Sequence, residues 1–226
     1  MNIERIAISD RASWLKLRHR DMTASLVATL FGVHDFQTAF EAWALKTGRL
    51  TEDAAETPPM MRGRLLEPVA IQLIREMRPA WKVLETGSHY YRDPEIRLGA
   101  TPDMIVECPE RGLGVVQIKS IEASVFAQRW RDPETRVIEP PLGYAVQTLT
   151  EAHLVGAKWA ALAPMTVGHG VNIEIIDVPL HAGVIERIRE ETVAFWALIE
   201  SGKEPAPDWG RDAAVIDRIY TQDDGG

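Results

Sequence analysis

The chain predicts an α/β fold, a central mixed sheet flanked by helices behind a helical N-terminal preface. Three observations predict it. Residues Leu98 to Ser120, LGATPDMIVECPERGLGVVQIKS, hold two short apolar runs separated by the turn-forming CPERG, a β-hairpin pattern. Apolar residues recur at helical spacing from Met60 and again from Ala182 to Ile199. Between these stretches, strand-like and helix-like segments alternate, as they do in α/β cores.

Taken in order, the opening residues run through WLKLRHRDMTASLVATLFG into a helix. Thr23 or Ser25 suits its N-cap, Ala24 to Leu30 are helix formers, and Gly32 ends it. A second helix is expected over Thr38 to Lys46, before Gly48. Leu50 to Pro59, polar and closed by Pro-Pro, reads as a loop. From Met60, the residues Leu65, Leu66, Val69, Ile71, Leu73 and Ile74 spread over a wide apolar face, until Arg78-Pro79 stops the helix. Pro68 fits the first turn of a helix starting near Glu67, where its missing N–H costs little, or a kink in one that starts earlier. Both versions place Glu67 near a helix start.

Trp81 to Leu84 and Ser88 to Tyr91 read as strands leading to the hairpin. Asp103 opens the first hairpin strand, while Gln117 and Lys119 lie two apart in the second and therefore share a face. An acid, an amide and an amine would then converge at one sheet edge. Val125 to Trp130 predicts a short helix, and Tyr144 to Val155 a longer one ended by Gly156. Trp159 to Leu162 and Val171 to Val178 predict two more strands, and Ala182 to Ile199 a long amphipathic helix. A short helix around Ala213 to Ile219 is expected in an acidic, Gly-ended tail. The whole reads as one domain over 1–203, with a helical N-terminal segment over 1–58, a core over 59–203, and a tail over 204–226.

With 226 residues, 46% of them hydrophobic, the chain can bury a substantial core. No apolar run approaches the roughly 18 residues of a membrane span, and MNIERIAISD lacks the layout of a signal peptide. A soluble, intracellular protein without a membrane partner is expected. The lone Cys108 excludes a disulfide framework and a cysteine-rich zinc or iron–sulfur centre within one chain. A net charge of −8 argues against nonspecific coating of nucleic acid. It leaves a nuclease open, because clustered carboxylates hold metal ions and local cations such as Arg18, His19 and Arg20, or Arg62 and Arg64, attract DNA. There is no P-loop, GxGxxG, HExxH or Ser-His-Asp elbow.

Four blocks together resemble the phage-type alkaline exonucleases of the YqaJ and lambda-exonuclease group, within the PD-(D/E)XK nucleases. They are WLKLRHRDMTAS (14–25), RGRLLEP (62–68), GATPDMIV with VVQIKS (99–120) and GYAVQTLTEAHLVG (143–156). The resemblance implies a restriction-endonuclease-like core and a Mg²⁺-dependent exonuclease, with Mn²⁺ as a possible substitute. Metal ligands would be Asp103, Glu67, Gln117 and the backbone carbonyl of Ile118; oxygen donors suit a hard cation. Lys119 would orient or help deprotonate the attacking water. Gln147, with Tyr144 a turn before it, would support the site. Arg18 and Ser25 would hold a 5′-phosphate.

Gln117 departs from the Glu usual in this motif and brings no charge, which should weaken metal binding unless Glu107 or Glu122 restores it. The resemblance further implies 5′→3′ degradation of one strand from double-stranded DNA ends, a ring-shaped homotrimer and a single-strand-annealing protein as partner. Phage or prophage recombination in the cytoplasm of a bacterial host would be its setting. A silent end-binding scaffold and a structure-specific or site-specific endonuclease are the alternatives.

Overall fold

A computed structural model describes residues 2–51, 56–132 and 134–220. Some of the expected loop Leu50 to Pro59, and the end of the tail, lie outside those residues. The N-terminal region is less purely helical than expected: β1 (Glu4–Ala7) precedes α1 (Arg11–Arg20), and β2 (Met22–Thr23) follows it. Asp10 caps α1, its carboxylate accepting from the Ser13 N–H at 2.7 Å. α2 (Ala24–Val27) passes into a 3₁₀ turn over Ala28–Phe31 and ends at Gly32, whose φ of 67° needs no Cβ penalty. Thr23 occupies the N-cap of α2 without a side-chain capping bond, and Ser25 lies inside its first turn. α3 (Ala39–Lys46) fills the expected Thr38 to Lys46 helix, with Thr38 at its N-cap accepting from the Glu41 N–H.

α4 (Pro58–Met77) corrects the sequence reading of Glu67. The Thr57 hydroxyl accepts from the Met60 N–H, and Pro58 occupies the first helical position, so the helix starts well before Glu67 and carries Pro68 in its interior. Glu67 is a mid-helix residue one turn before Ala70 and Ile71. It belongs to the stripe that continues through buried Ile74, so the helical repeat turns it inward.

β3 (Lys82–Glu85), β4 (His89–Asp93) and β5 (Leu98–Ala100) lead to the expected hairpin, β6 (Met104–Cys108) and β7 (Gly112–Ile121). α5 (Ala123–Arg129) and α6 (Leu142–Val155) cross over to β8 (Trp159–Val167), which runs parallel to β7. The strand expected over Val171 to Val178 is two strands, β9 (Val171–Ile173) and β10 (Ile176–Val178), both antiparallel to β8. Pro164 explains the break: it cannot donate to the ladder, and its carbonyl accepts from the Glu174 N–H between the two paired segments. α7 (Ala182–Glu200) and α8 (Ala213–Tyr220) complete the chain. No helix among the described residues is long and apolar enough to cross a membrane.

The strands form a small sheet, β1-β4-β5-β2, and a larger one, β10-β8-β7-β6-β3, with β9 also on β8. One face of the larger sheet, Met104, Val106, Val116, Ile118, Ala161 and Ala163, packs with Ala70, Ile71 and Ile74 of α4. The other, with Ile105, Val115, Ala160 and Leu162, packs with Leu149 and Ala152 of α6, α2, α3, α7 and the small sheet. This alternation sends the Ile118 side chain toward α4 and those of Gln117 and Lys119 toward α6.

The small sheet is pinned by a buried ion pair. Arg92 of β4 donates twice to Asp21, at 2.9 and 2.8 Å, and once to Glu4 at 2.9 Å. At the other end of the chain, the Thr38 hydroxyl donates to Asp212 at 2.6 Å and Arg211 donates to the carbonyls of His34 and Gln37. The stretch before α8 is thereby fastened to the N-terminal region.

Candidate active site

At the C-terminal half of β7, three elements bring the expected polar residues together. Asp103 precedes β6, and one carboxylate oxygen accepts from the Ile118 N–H at 2.8 Å and from Gln117 Nε2 at 2.5 Å. Gln117 is buried, and its Oε1 has no hydrogen-bond partner. Lys119 points from the same face of β7 to α6, where its ammonium donates to Gln147 Oε1 at 3.0 Å and lies 5.0 Å from the centre of the Tyr144 ring. Tyr144 is itself fixed by stacking on buried Trp130, ring centres 5.5 Å apart. Glu67 approaches from α4, near enough for the charges of Asp103 and Lys119 to act on its carboxyl.

The electrostatics are those of a site with too little positive charge. Burial, then the Asp103 charge, push Glu67 up to about 7 from 4.5, with Lys119 opposing. Burial also raises Asp103, against Lys119 and the Ile118 N–H. Without a bound cation, Glu67 keeps a proton in the folded state that the unfolded chain has lost between pH 4.5 and about 7. The folded state binds more protons in that window, so stability falls as pH rises through it. In EDTA, Glu67→Gln is expected to flatten that slope, read as urea midpoints at a series of pH values.

The second expected group also assembles. Arg18 donates to the Ser25 hydroxyl at 3.3 Å and stacks on Trp14, whose indole N–H donates to Thr101 in the loop before Asp103. Ser25 shares a narrow crevice with His34, Asp35, Phe36, Gly143, Tyr144 and Gln147, which joins this group to the Lys119 side of the site. Gly143 has to be glycine there, since a Cβ would stand 2.8 Å from the Val33 carbonyl oxygen.

Neither expected replacement for the missing charge reaches the site. Glu107 is exposed near the hairpin turn, opposite Leu113 and Lys82 at the far end of β6 from Asp103. Glu122 is exposed and 3.9 Å from Arg62, whose guanidinium also donates to the Ile121 carbonyl. Arg64 is occupied by Glu56 through two hydrogen bonds of 2.8 Å.

One site residue escapes the sequence reading. Glu151 of α6 is 1% exposed; its Oε1 accepts from Gln147 Nε2 at 2.9 Å and its Oε2 has no partner. Burial first, then the Asp103 charge, hold its carboxyl well above the usual range. The available signal was the i, i+4 spacing from Gln147, which puts both on one helix face.

Asp103, Glu67, the Gln117 amide oxygen and the Ile118 backbone form an oxygen donor set that fits a hard divalent cation. Burial of the Ile118 side chain among the α4-side core leaves only its backbone for such a role. Among the described residues, no three Asp, Glu, His or Cys groups form a metal cluster.

The sequence pattern of the YqaJ-like viral recombinase domain matches residues 13–158. No curated protein matches the chain by sequence. LHK-Exo, an alkaline exonuclease from Laribacter hongkongensis, is 23% identical, with a TM-score of 0.61 covering 84% of this chain and 93% of that one. Its complex with dAMP gives 0.64 at 22% identity and the same coverage. A phage-related exonuclease from Haemophilus somnus 129PT gives 0.56 at 14% identity, covering 83% of this chain and 98% of its own. SOX in a complex with DNA gives 0.51 at 11%, covering 91% and 68%. At these identities the structural likeness is one of fold, whereas the domain match spans more than half of the sequence. The chain belongs to the YqaJ-like viral recombinase domain family, and it shares its fold with the alkaline exonuclease structures named above.

Proposed function

We propose that the protein is a Mg²⁺-dependent exonuclease that degrades one strand of linear duplex DNA from its 5′ end in phage-type recombination. The observation that carries this reading is the convergence of Asp103, Gln117 and Lys119 with Glu67, drawn from both faces of one sheet. Asp103, Glu67, Gln117 and the Ile118 carbonyl would hold the cation, with Mn²⁺ a possible substitute. When bound, the cation polarises the scissile phosphate and lowers the pKa of an attacking water.

The remaining work falls to the chain itself. Lys119 presents a fixed ammonium to the phosphate, offsetting charge that develops during attack and orienting the nucleophile. Gln147 and Tyr144 hold that ammonium in place, one by hydrogen bond and one by its ring face. Arg18, with Ser25 beside it, grips the terminal 5′-phosphate across the crevice and sets which bond meets Lys119. Gln147→Ala should therefore lower kcat by about 10- to 100-fold, since it removes the acceptor that holds the lysine ammonium.

Release of nucleotides from 5′-phosphorylated linear duplex in Mg²⁺, lost in Asp103→Ala, tests the activity. Covalently closed circular DNA should survive; its cleavage would make the protein an endonuclease, and tight end binding without release would make it a scaffold. Labels at the 5′ and 3′ ends assign polarity. Family membership supports the rest of the reading: a ring-shaped homotrimer around the duplex, a single-strand-annealing partner, and work in the cytoplasm of a phage-carrying bacterial host. Light scattering at three times the chain mass is the expected result for the ring.

A further inference from the structure

The crevice between the Arg18 and Lys119 sides of the site carries an aromatic ring to which the proposed reaction gives no task. Phe36 lines it together with Ser25, Tyr144 and Gln147, yet Phe36 is 76% exposed. The Tyr144 ring there is already engaged, stacked on Trp130 and faced by the Lys119 ammonium. The Phe36 ring meets His34 in a T-shaped contact, centres 6.2 Å apart, and otherwise looks to solvent.

An exposed apolar side chain is ordinary by itself. This one sits on a loop that is held from several sides. His34 Nδ1 accepts from the backbone N–H groups of Phe36 and Gln37, at 3.2 and 2.9 Å, which curls residues 34–37 into a turn that carries Phe36 outward. Burial lowers the His34 pKa and so favours the neutral ring that this acceptor role needs. Arg211 donates to the carbonyls of His34 and Gln37, on either side of Phe36, and Arg129 pairs with Asp35. The fold has thereby ordered the backbone beneath the ring, so a flat partner laid on it meets little further entropy cost.

A nucleobase is that partner. A terminal nucleotide held by its 5′-phosphate at Arg18 and Ser25, with the next phosphate at Lys119, lies along the crevice. Its base is too broad for so narrow a space and has to turn to the rim, where Phe36 stands. The one carboxylate lining the crevice, Asp35, has its charge offset by Arg129 and so opposes the phosphates little. We infer that Phe36 is a stacking platform for the base of the 5′-terminal nucleotide, so that a DNA end is gripped by base face as well as by phosphate. This rests on the reading given above that places a 5′ end in the crevice. Every base has a π-face, so the platform tolerates any sequence, as an enzyme advancing along a strand requires.

The test measures equilibrium binding of the whole protein, by fluorescence anisotropy in EDTA, to two 5′-phosphorylated duplexes closed at the far end by a hairpin. They differ only in the 5′-terminal nucleotide, which in one has its base and in the other is abasic. The native protein is expected to bind the end with a base about tenfold more tightly. Phe36→Ala should lose that preference by weakening binding to the end with a base and leaving the abasic end unchanged. Phe36→Leu, apolar without a ring, should lose most of it, and Phe36→Trp should keep it. Unfolding curves show whether each variant folds, and Phe36→Leu carries the test should Phe36→Ala not fold. Native affinity of that variant for the end with a base, or equal weakening at both ends, overturns the assignment. Failure of the underlying reading looks different: the native protein would bind a phosphorylated end no better than an unphosphorylated one or than closed circular duplex.

Discussion

Asp103→Asn is expected to lower strand degradation by about 10³-fold or more while the protein stays folded. Asp103 is the hub of the site: one of its oxygens receives both the Ile118 N–H and Gln117 Nε2, and its charge acts on both Glu67 and Glu151. The amide keeps the shape and an acceptor oxygen but removes the charge around which the proposed cation would assemble. Burial already disfavours the charged form of Asp103, so the variant should melt at or above the native temperature in EDTA. Loss of Mg²⁺-induced stabilisation together with loss of activity separates this from unfolding. Nucleotide release by purified Asp103→Asn near the native rate would remove the site from catalysis.

Arg92→Ala should have the largest effect on stability, about 3–5 kcal/mol by urea denaturation. Both ends of the Asp21–Arg92 pair are buried, and removing the guanidinium leaves Asp21 charged in a dry interior, with Glu4 released as well. Replacing both, Asp21→Asn with Arg92→Met, should cost much less, because no lone charge remains. Asp21 is also the residue on which α1 ends, a turn beyond Arg18. A weakened pair should therefore raise KM for 5′-phosphorylated ends more than it lowers kcat. Equal losses from the single and double variants would mean that the pair acts by packing rather than by charge.

The hairpin was legible because period-two alternation survives any tertiary context, and it placed Gln117 and Lys119 on one face as observed. The helix stops at Gly32 and Gly156 were equally plain, since each is a local requirement of the backbone. β1, β2 and β5 were not read because strands of two to four residues are too short for a period. They exist by pairing within a sheet built around β4, which is a property of the whole fold. Glu67 was placed on the right helix but at the wrong depth. Pro68 allowed either a beginning near Glu67 or an earlier start, and Thr57 with Pro58 is the true one. Glu151 was unread because TLTEAHL offers a single acid within an amphipathic run. Only the packing of α6 on the sheet turns that acid inward.

The anchoring of Arg211 and Asp212 on His34, Gln37 and Thr38 reaches further than a loose end being tucked away. Of these residues His34 lines the crevice beside Ser25, with Asp35 and Phe36 next to it, where the proposed 5′-phosphate would be held. A shortened protein stopping at residue 203 would keep every catalytic group yet lose the clasp that shapes its own doorway. Its first symptom would be poor discrimination of phosphorylated from unphosphorylated ends rather than slow chemistry.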